Sequence, residues 1–167
     1  RGMNWLVRVD GTQYAWVKEN YGWGLGYFTV TKGRESIKKE WKNPVEISAG
    51  GMNVIYRESD IRIQIKRRLE EDGLVERYTF TNIGEEAVSL YDMGIYTPFN
   101  DNYPSAQECM NSRANVQIWE GGNAAYVNAI RMGAYVPHLG LMVTEGAVKS
   151  YEIWERGRRK ANSHTRG

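Results

Sequence analysis

The chain has 167 residues, with 22 basic and 20 acidic side chains and a net charge of +2, a balance that argues against a polyanionic partner such as nucleic acid. One cysteine, Cys109, excludes an intrachain disulfide, and together with only two histidines, His138 and His164, it forms no usual zinc ligand set. No apolar stretch is long enough to span a bilayer, so no membrane partner is expected.

An apolar fraction of 41% is enough to build the core of one domain. The 6 Trp and 11 Tyr favour strands, and suit surfaces that are half apolar and half polar.

In chain order, Met3, Trp5, Val7 and Val9 alternate with Asn4, Leu6 and Arg8, and Leu25–Thr31 reads as a further strand. Arg34–Lys42 is the one helix candidate, because Ile37 and Trp41 stand four apart. Gly50-Gly51 separates two strands, Val45–Ala49 and Met52–Glu58. Ile61-Arg-Ile-Gln-Ile65 alternates strictly, which predicts that Ile61, Ile63 and Ile65 are buried. After the turn Glu70-Glu71-Asp72-Gly73, residues 74 to 81 place Leu74, Tyr78 and Phe80 on one face. A second turn at Asn82–Glu85 leads to a strand over 87–93, and the three strands are expected to be adjacent in one meander. Tyr96–Arg113, with Pro98, Pro104 and several Asn and Asp, predicts a long connection. Two more hairpins are expected, Asn115–Trp119 with Ala124–Ile130 and Leu139–Thr144 with Ala147–Trp154. The polar end, 155–167, shows no clean strand, and its basic run Arg156–Lys160 reads as a solvated segment. About ten short strands at this spacing predict an all-β antiparallel sandwich forming one domain over 1–167.

No P-loop, dinucleotide fingerprint, nucleophile elbow or zincin helix is present, and Gly22-Trp23-Gly24-Leu25-Gly26 lacks the lysine and helix of a phosphate loop. Its glycines read as sites of bulging or close packing. The aromatic cluster Tyr14, Trp16, Tyr21, Trp23, Tyr27 and Phe28 offers flat rings for the apolar faces of sugars, with Gln13 and Asn20 as amides; the alternative is that the rings fill a core or interface. Asp92, Asp101, Glu108, Glu120 and Glu145 are the carboxylates from which a glycosidase pair would be drawn, although turn roles account for Glu120 and Glu145. The long loop and the turn Trp119–Asn123 are expected at one end of the sandwich, where Trp119, Asn102, Glu108 and Asn123, with Trp16 and Trp23, form a carbohydrate or interdomain face.

The segments Tyr78–Gly84, Asn100-Asp101-Asn102-Tyr103, Ile118–Gly122, Arg131-Met132-Gly133, Pro137–Leu141 and Thr144-Glu145-Gly146 occur in an order that resembles the N-terminal β-sandwich of bacterial glycoside hydrolase-like proteins. In that family a galactose-mutarotase-like supersandwich precedes an (α/α) toroid holding the catalytic centre. The resemblance implies a sandwich that continues past Gly167, so the chain reads as a fragment of one. It implies a glycoside hydrolase as the parent protein and carbohydrate or a catalytic toroid as the partner. No cofactor and no metal are expected; the resemblance leaves the compartment open with a lean toward export and assigns no catalytic residue. The expected function is a non-catalytic or site-completing domain of a carbohydrate-active enzyme. The alternatives are a stand-alone carbohydrate-binding module and, third, an aldose-epimerase-like enzyme using His138 with Glu145.

Overall fold

The structure, a computed structural model, describes residues 24–71, 73–96 and 142–146 in full, and elsewhere the backbone of the strands named below. The described strands are antiparallel, no α-helix occurs among the described residues, and the chain is an all-β sandwich. It divides into two compact units, one of residues 1–3 and 19–98 and the other of residues 4–18 and 99–167.

The strands are β1 (Leu6–Val9), β2 (Thr12–Ala15), β3 (Gly26–Lys32), β4 (Glu35–Trp41), β5 (Pro44–Ser48), β6 (Asn53–Glu58), β7 (Ile61–Glu70), β8 (Gly73–Asn82), β9 (Ser89–Ile95), β10 (Val116–Gly121), β11 (Ala124–Ala129), β12 (Leu139–Met142), β13 (Ser150–Glu155) and β14 (Arg158–His164). The first unit holds a three-stranded sheet ordered β4-β3-β9 and a four-stranded sheet ordered β5-β6-β7-β8. The second holds the β1-β2 pair, the sheet β10-β11-β12 and the β13-β14 pair.

In the first unit the two sheets face each other. Phe28, Val30 and Trp41 come from the three-stranded sheet, and Val54, Tyr56, Ile61, Ile63 and Ile65 come from the four-stranded one. The alternation on β7 does what period two requires, and Ile61, Ile63 and Ile65 are all buried. An aromatic trio spans the two layers. Phe28 stacks on Trp41 at 6.0 Å, and the ring of Phe80 on β8 meets Trp41 edge-on at 5.6 Å. Edge-to-face and offset contacts of this kind add to the area each ring removes from water.

Glycine makes that packing possible. A Cβ on Gly26 would collide with the Trp41 ring and the Gly94 carbonyl oxygen, so the indole lies where a side chain would otherwise stand. The Trp41 indole N–H donates to the Gly24 carbonyl at 2.8 Å, which satisfies a donor that would be costly to bury alone.

Four expectations are corrected. Arg34–Lys42 contains strand β4 and no helix. A spacing of four places Ile37 and Trp41 on one face of a strand as well as of a helix. The decision comes from the two-residue connection at Gly33-Arg34, where Gly33 has φ +61° and Lys32 pairs with Glu35. The meander also differs, since β7 pairs with β8 and β6, while β9 crosses to the other sheet and pairs with β3. The connection explains the crossing. The Asn82 carboxamide accepts from Gly84 N–H at 3.0 Å and donates to the Glu86 carbonyl at 2.8 Å, folding 82–86 into a turn that leads away from β7. Val88 and Leu90 then pack on the core from the opposite layer. The third correction is that β12 pairs with β11 and not with β13. The fourth is that the polar end contains β14, which pairs with β13 through a bulge between Ile153 and Trp154. Backbone pairing does not depend on apolar side chains, so hydropathy gave no sign of β14.

Ile63→Ala should lower unfolding stability by about 2–5 kcal/mol in urea titrations, because it empties a fully buried site. Ile37→Ala, at a position 48% exposed, should change it by no more than about 0.5 kcal/mol.

Candidate functional site

The outer face of the three-stranded sheet is built by the residues of β3 that alternate with its core positions. Phe28 and Val30 point inward, so Tyr27, Thr29 and Thr31 point out. Register sets three cross-strand rows on that face: Ser36, Thr31 and Ser89; Lys38, Thr29 and Tyr91; Glu40, Tyr27 and Gly94. Tyr91 is 47% exposed and Tyr96, just beyond β9, is 45% exposed.

The side chains of this face are tied to one another. The Tyr27 and Tyr96 rings lie 5.5 Å apart at 45°, and the Lys38 ammonium sits 4.5 Å from the Tyr27 ring centre. Thr31 and Ser36 share a hydroxyl hydrogen bond of 2.7 Å. Hydrogen bonds to Ser36 and then Thr31 hold the Tyr91 phenol below its ordinary pKa, while burial pushes Tyr96 up. Lys42 is bound to Glu40, which lowers the carboxyl and raises the ammonium.

Two backbone features shape the face. A Cβ on Gly94 would run into the Tyr27 ring, so glycine lets that ring lie across β9. Between Tyr27 and Thr29 the β3–β9 register shifts, and the bulge on β9 includes Asp92 at φ +50°. Bulges of this kind bend a strand and re-aim its side chains.

Inside the same unit lies a buried polar cluster. Arg67, 3% exposed by its side chain, donates from Nε to Glu76 at 2.7 Å and from Nη1 to the Gly51 carbonyl at 2.8 Å. The Tyr78 hydroxyl donates to the other Glu76 oxygen at 3.1 Å. Burial first, and the Glu76 charge second, push the Tyr78 phenol well above its usual pKa; burial also raises Tyr56. Gly24, at φ +84°, lies against this cluster, and a Cβ there would stand 2.5 Å from the Arg67 guanidinium. With so little exposure, the cluster serves packing and is not a surface for a large ligand.

At the other end of the core a cleft of about 100 Å³ is lined by Val30, Lys32, Ile37, Asp60, Ile61 and Val88, among others. Lys32 lies 3.7 Å from Asp60 and 3.4 Å from Glu86. Among the described residues no cluster of His, Cys, Asp and Glu is placed to hold a metal ion, and no helix is long and apolar enough to cross a membrane.

No family model matches the chain, and no curated protein does. Among solved structures it is similar to a polysaccharide lyase, with 65% sequence identity over 93% of this chain and a TM-score of 0.72. The chain spans 25% of that protein's length.

Of the residues expected from sequence to form a face, Trp16, Trp23, Asn102, Glu108 and Asn123 lie outside the described residues. For Trp119 the backbone is described: it sits in β10 opposite Tyr126 of β11, two residues before the strand ends. Trp16 directly follows β2 in sequence. His138, Cys109 and Asp101 also lie outside the described residues, and Glu120 is described only as a backbone position of β10. Glu145 is exposed beyond β12, and Asp92 is exposed in the β9 bulge. The sequence reading missed the tyrosine face. Its signal was the parity of β3, which separates Tyr27 from Phe28. The reading also missed Arg67 and Glu76. Arg67 continues the inward parity of Ile61, Ile63 and Ile65, and Glu76 keeps that of Tyr78 and Phe80.

Glu76→Gln should destabilise the fold by roughly 3 kcal/mol in chemical denaturation, because it leaves the Arg67 charge buried without its carboxylate. The double variant Arg67→Met with Glu76→Leu should recover much of that loss; a double variant as unstable as the single one would contradict this assignment.

Proposed function

We propose that the chain is a non-catalytic, site-completing β-sandwich domain of an enzyme that acts on a polysaccharide. The carrying observation is the similarity to a polysaccharide lyase, close in sequence over nearly the whole chain while the chain spans a quarter of that protein. A quarter of an enzyme's length leaves room for a separate catalytic domain, which agrees with the sandwich-and-toroid arrangement implied by the sequence resemblance. The supersandwich fold is the finer form of the same reading.

A lyase breaks a glycosidic bond by elimination. The step removes the proton beside a uronate carboxyl group and expels the glycosidic oxygen. The polysaccharide class this reading favours is therefore uronate-bearing, and the enzyme it favours is a lyase where the resemblance implies a glycoside hydrolase. The face formed by Trp119, Asn102, Glu108 and Asn123, with Trp16 and Trp23, belongs to the proposal as a contact with carbohydrate or with the catalytic domain. A binding role for the sandwich itself is favoured by the exposed tyrosines of the three-stranded sheet.

The test is affinity electrophoresis of the purified chain in gels containing alginate or pectate, with dextran as the neutral comparison. Retardation by the polyuronates, without release of unsaturated uronate products, is expected. Free migration in every gel contradicts the proposal, as does elimination by the chain alone that is lost in His138→Ala or Glu145→Ala.

A further inference from the structure

We propose that the outer face of the β4-β3-β9 sheet is a glycan-holding platform, on which a uronate-bearing chain lies over Tyr91, Tyr27 and Tyr96 and places a carboxylate at Lys38. This inference rests on the proposed function and assigns it a surface.

Four observations carry it. First, the aromatic rings are outside the core. Among the described residues Phe28 and Trp41 are buried in the core with Phe80 packed against them, whereas Tyr91 and Tyr96 stay nearly half exposed. Large exposed aromatics gathered on one face mark contact surfaces.

Second, the rings have a common spatial arrangement. Tyr27 and Tyr91 belong to neighbouring cross-strand rows, so they are about 7 Å apart along the strand direction, and Tyr96 extends the Tyr27 ring at 5.5 Å. Successive flat surfaces at this spacing suit a linear polymer of rings with apolar faces. A compact small molecule would use only one of them.

Third, polar groups stand beside the rings. Thr31, Ser36 and the Tyr91 phenol form one hydroxyl cluster, able both to donate to and to accept from sugar hydroxyls. Fourth, the cations of this unit have different contacts. Lys42 is bound to Glu40 and Lys32 lies 3.7 Å from Asp60 and 3.4 Å from Glu86, whereas the Lys38 ammonium sits on the Tyr27 ring, with the Glu40 carboxylate near enough to feel its charge. An ammonium held on an aromatic ring remains available to an incoming carboxylate. Gly94 and the β9 bulge keep the platform low, since any larger side chain at 94 would lift the Tyr27 ring.

The inference is tested in the same alginate, pectate and dextran gels, with circular dichroism confirming that each variant is folded. Tyr91→Ala should weaken binding to alginate about tenfold, and Tyr91→Phe should keep most of it, because the ring stays. Lys38→Gln should reduce retardation by alginate and leave any retardation by dextran unchanged, and the wild-type advantage over it should shrink as salt rises. Ile37→Ala, off the platform, should match wild type. If Tyr27→Ala proves unstable, Tyr91→Ala and Lys38→Gln still decide, since Tyr91 is a surface side chain. Wild type retarded by alginate, with Tyr91→Ala and Lys38→Gln equally retarded, overturns the platform and leaves the proposed function standing; the face would then be a contact for a protein domain. Wild type unretarded in every gel overturns both. Loss in Tyr91→Ala with none in Lys38→Gln, or equal losses in dextran and alginate, overturns the uronate assignment.

Discussion

Gly26 has no side chain, and the Trp41 indole lies in the space where one would stand. From that position the ring reaches Phe28 on its own sheet and Phe80 on the other, and its N–H closes onto the Gly24 carbonyl. The contact fixes the end of β4 over the start of β3. It also sets which residues of β3 look inward, because alternation then runs without interruption through Phe28 and Val30. The position of Tyr27, Thr29 and Thr31 on the outer face is the other half of the same constraint. A one-residue slip would exchange the two sets.

The polar cluster at Arg67 is tied to this frame. Arg67 follows Ile65 on the inner face of β7, and Glu76 is its direct cross-strand partner on β8. The pair is buried beneath Gly24, at the point where the chain enters β3, and Gly24 can take its positive φ and close approach without strain. A buried pair of this sort contributes little net stability beside an apolar pair of equal volume. What it does is penalise any arrangement in which one partner is buried without the other, so it favours a single register of β7 on β8.

Strand parity was readable from the chain where side chains alternate cleanly. Ile61, Ile63 and Ile65 were legible as a buried row, as were the glycine turn at Gly50-Gly51 and the hairpin following Trp119. Strand partners were not legible, because hydropathy states which face is buried and not which strand lies alongside. Hence β9 was expected beside β8, whereas it pairs with β3 in the opposite sheet. Strand β4 was hidden because a spacing of four suits both periods, and β14 because it is almost wholly polar. The tyrosine face was hidden for a related reason. Tyr27 and Phe28 are adjacent in sequence and read as one aromatic cluster, yet adjacency in a strand sends them to opposite faces. Tyr91 and Tyr96 join Tyr27 only through the pairing of β9.

A uronate-bearing glycan on the outer face of the three-stranded sheet would be seen by nuclear magnetic resonance titration of the isotopically labelled chain with short alginate oligosaccharides, following assigned amides and tyrosine ring signals. Saturable shifts are expected at Tyr27, Thr31, Ser36, Lys38, Tyr91 and Tyr96, with Phe28, Ile63 and Val54 unmoved. Saturable shifts confined to the β10–β11 hairpin around Trp119, with the tyrosine face silent, would contradict that placement of the glycan.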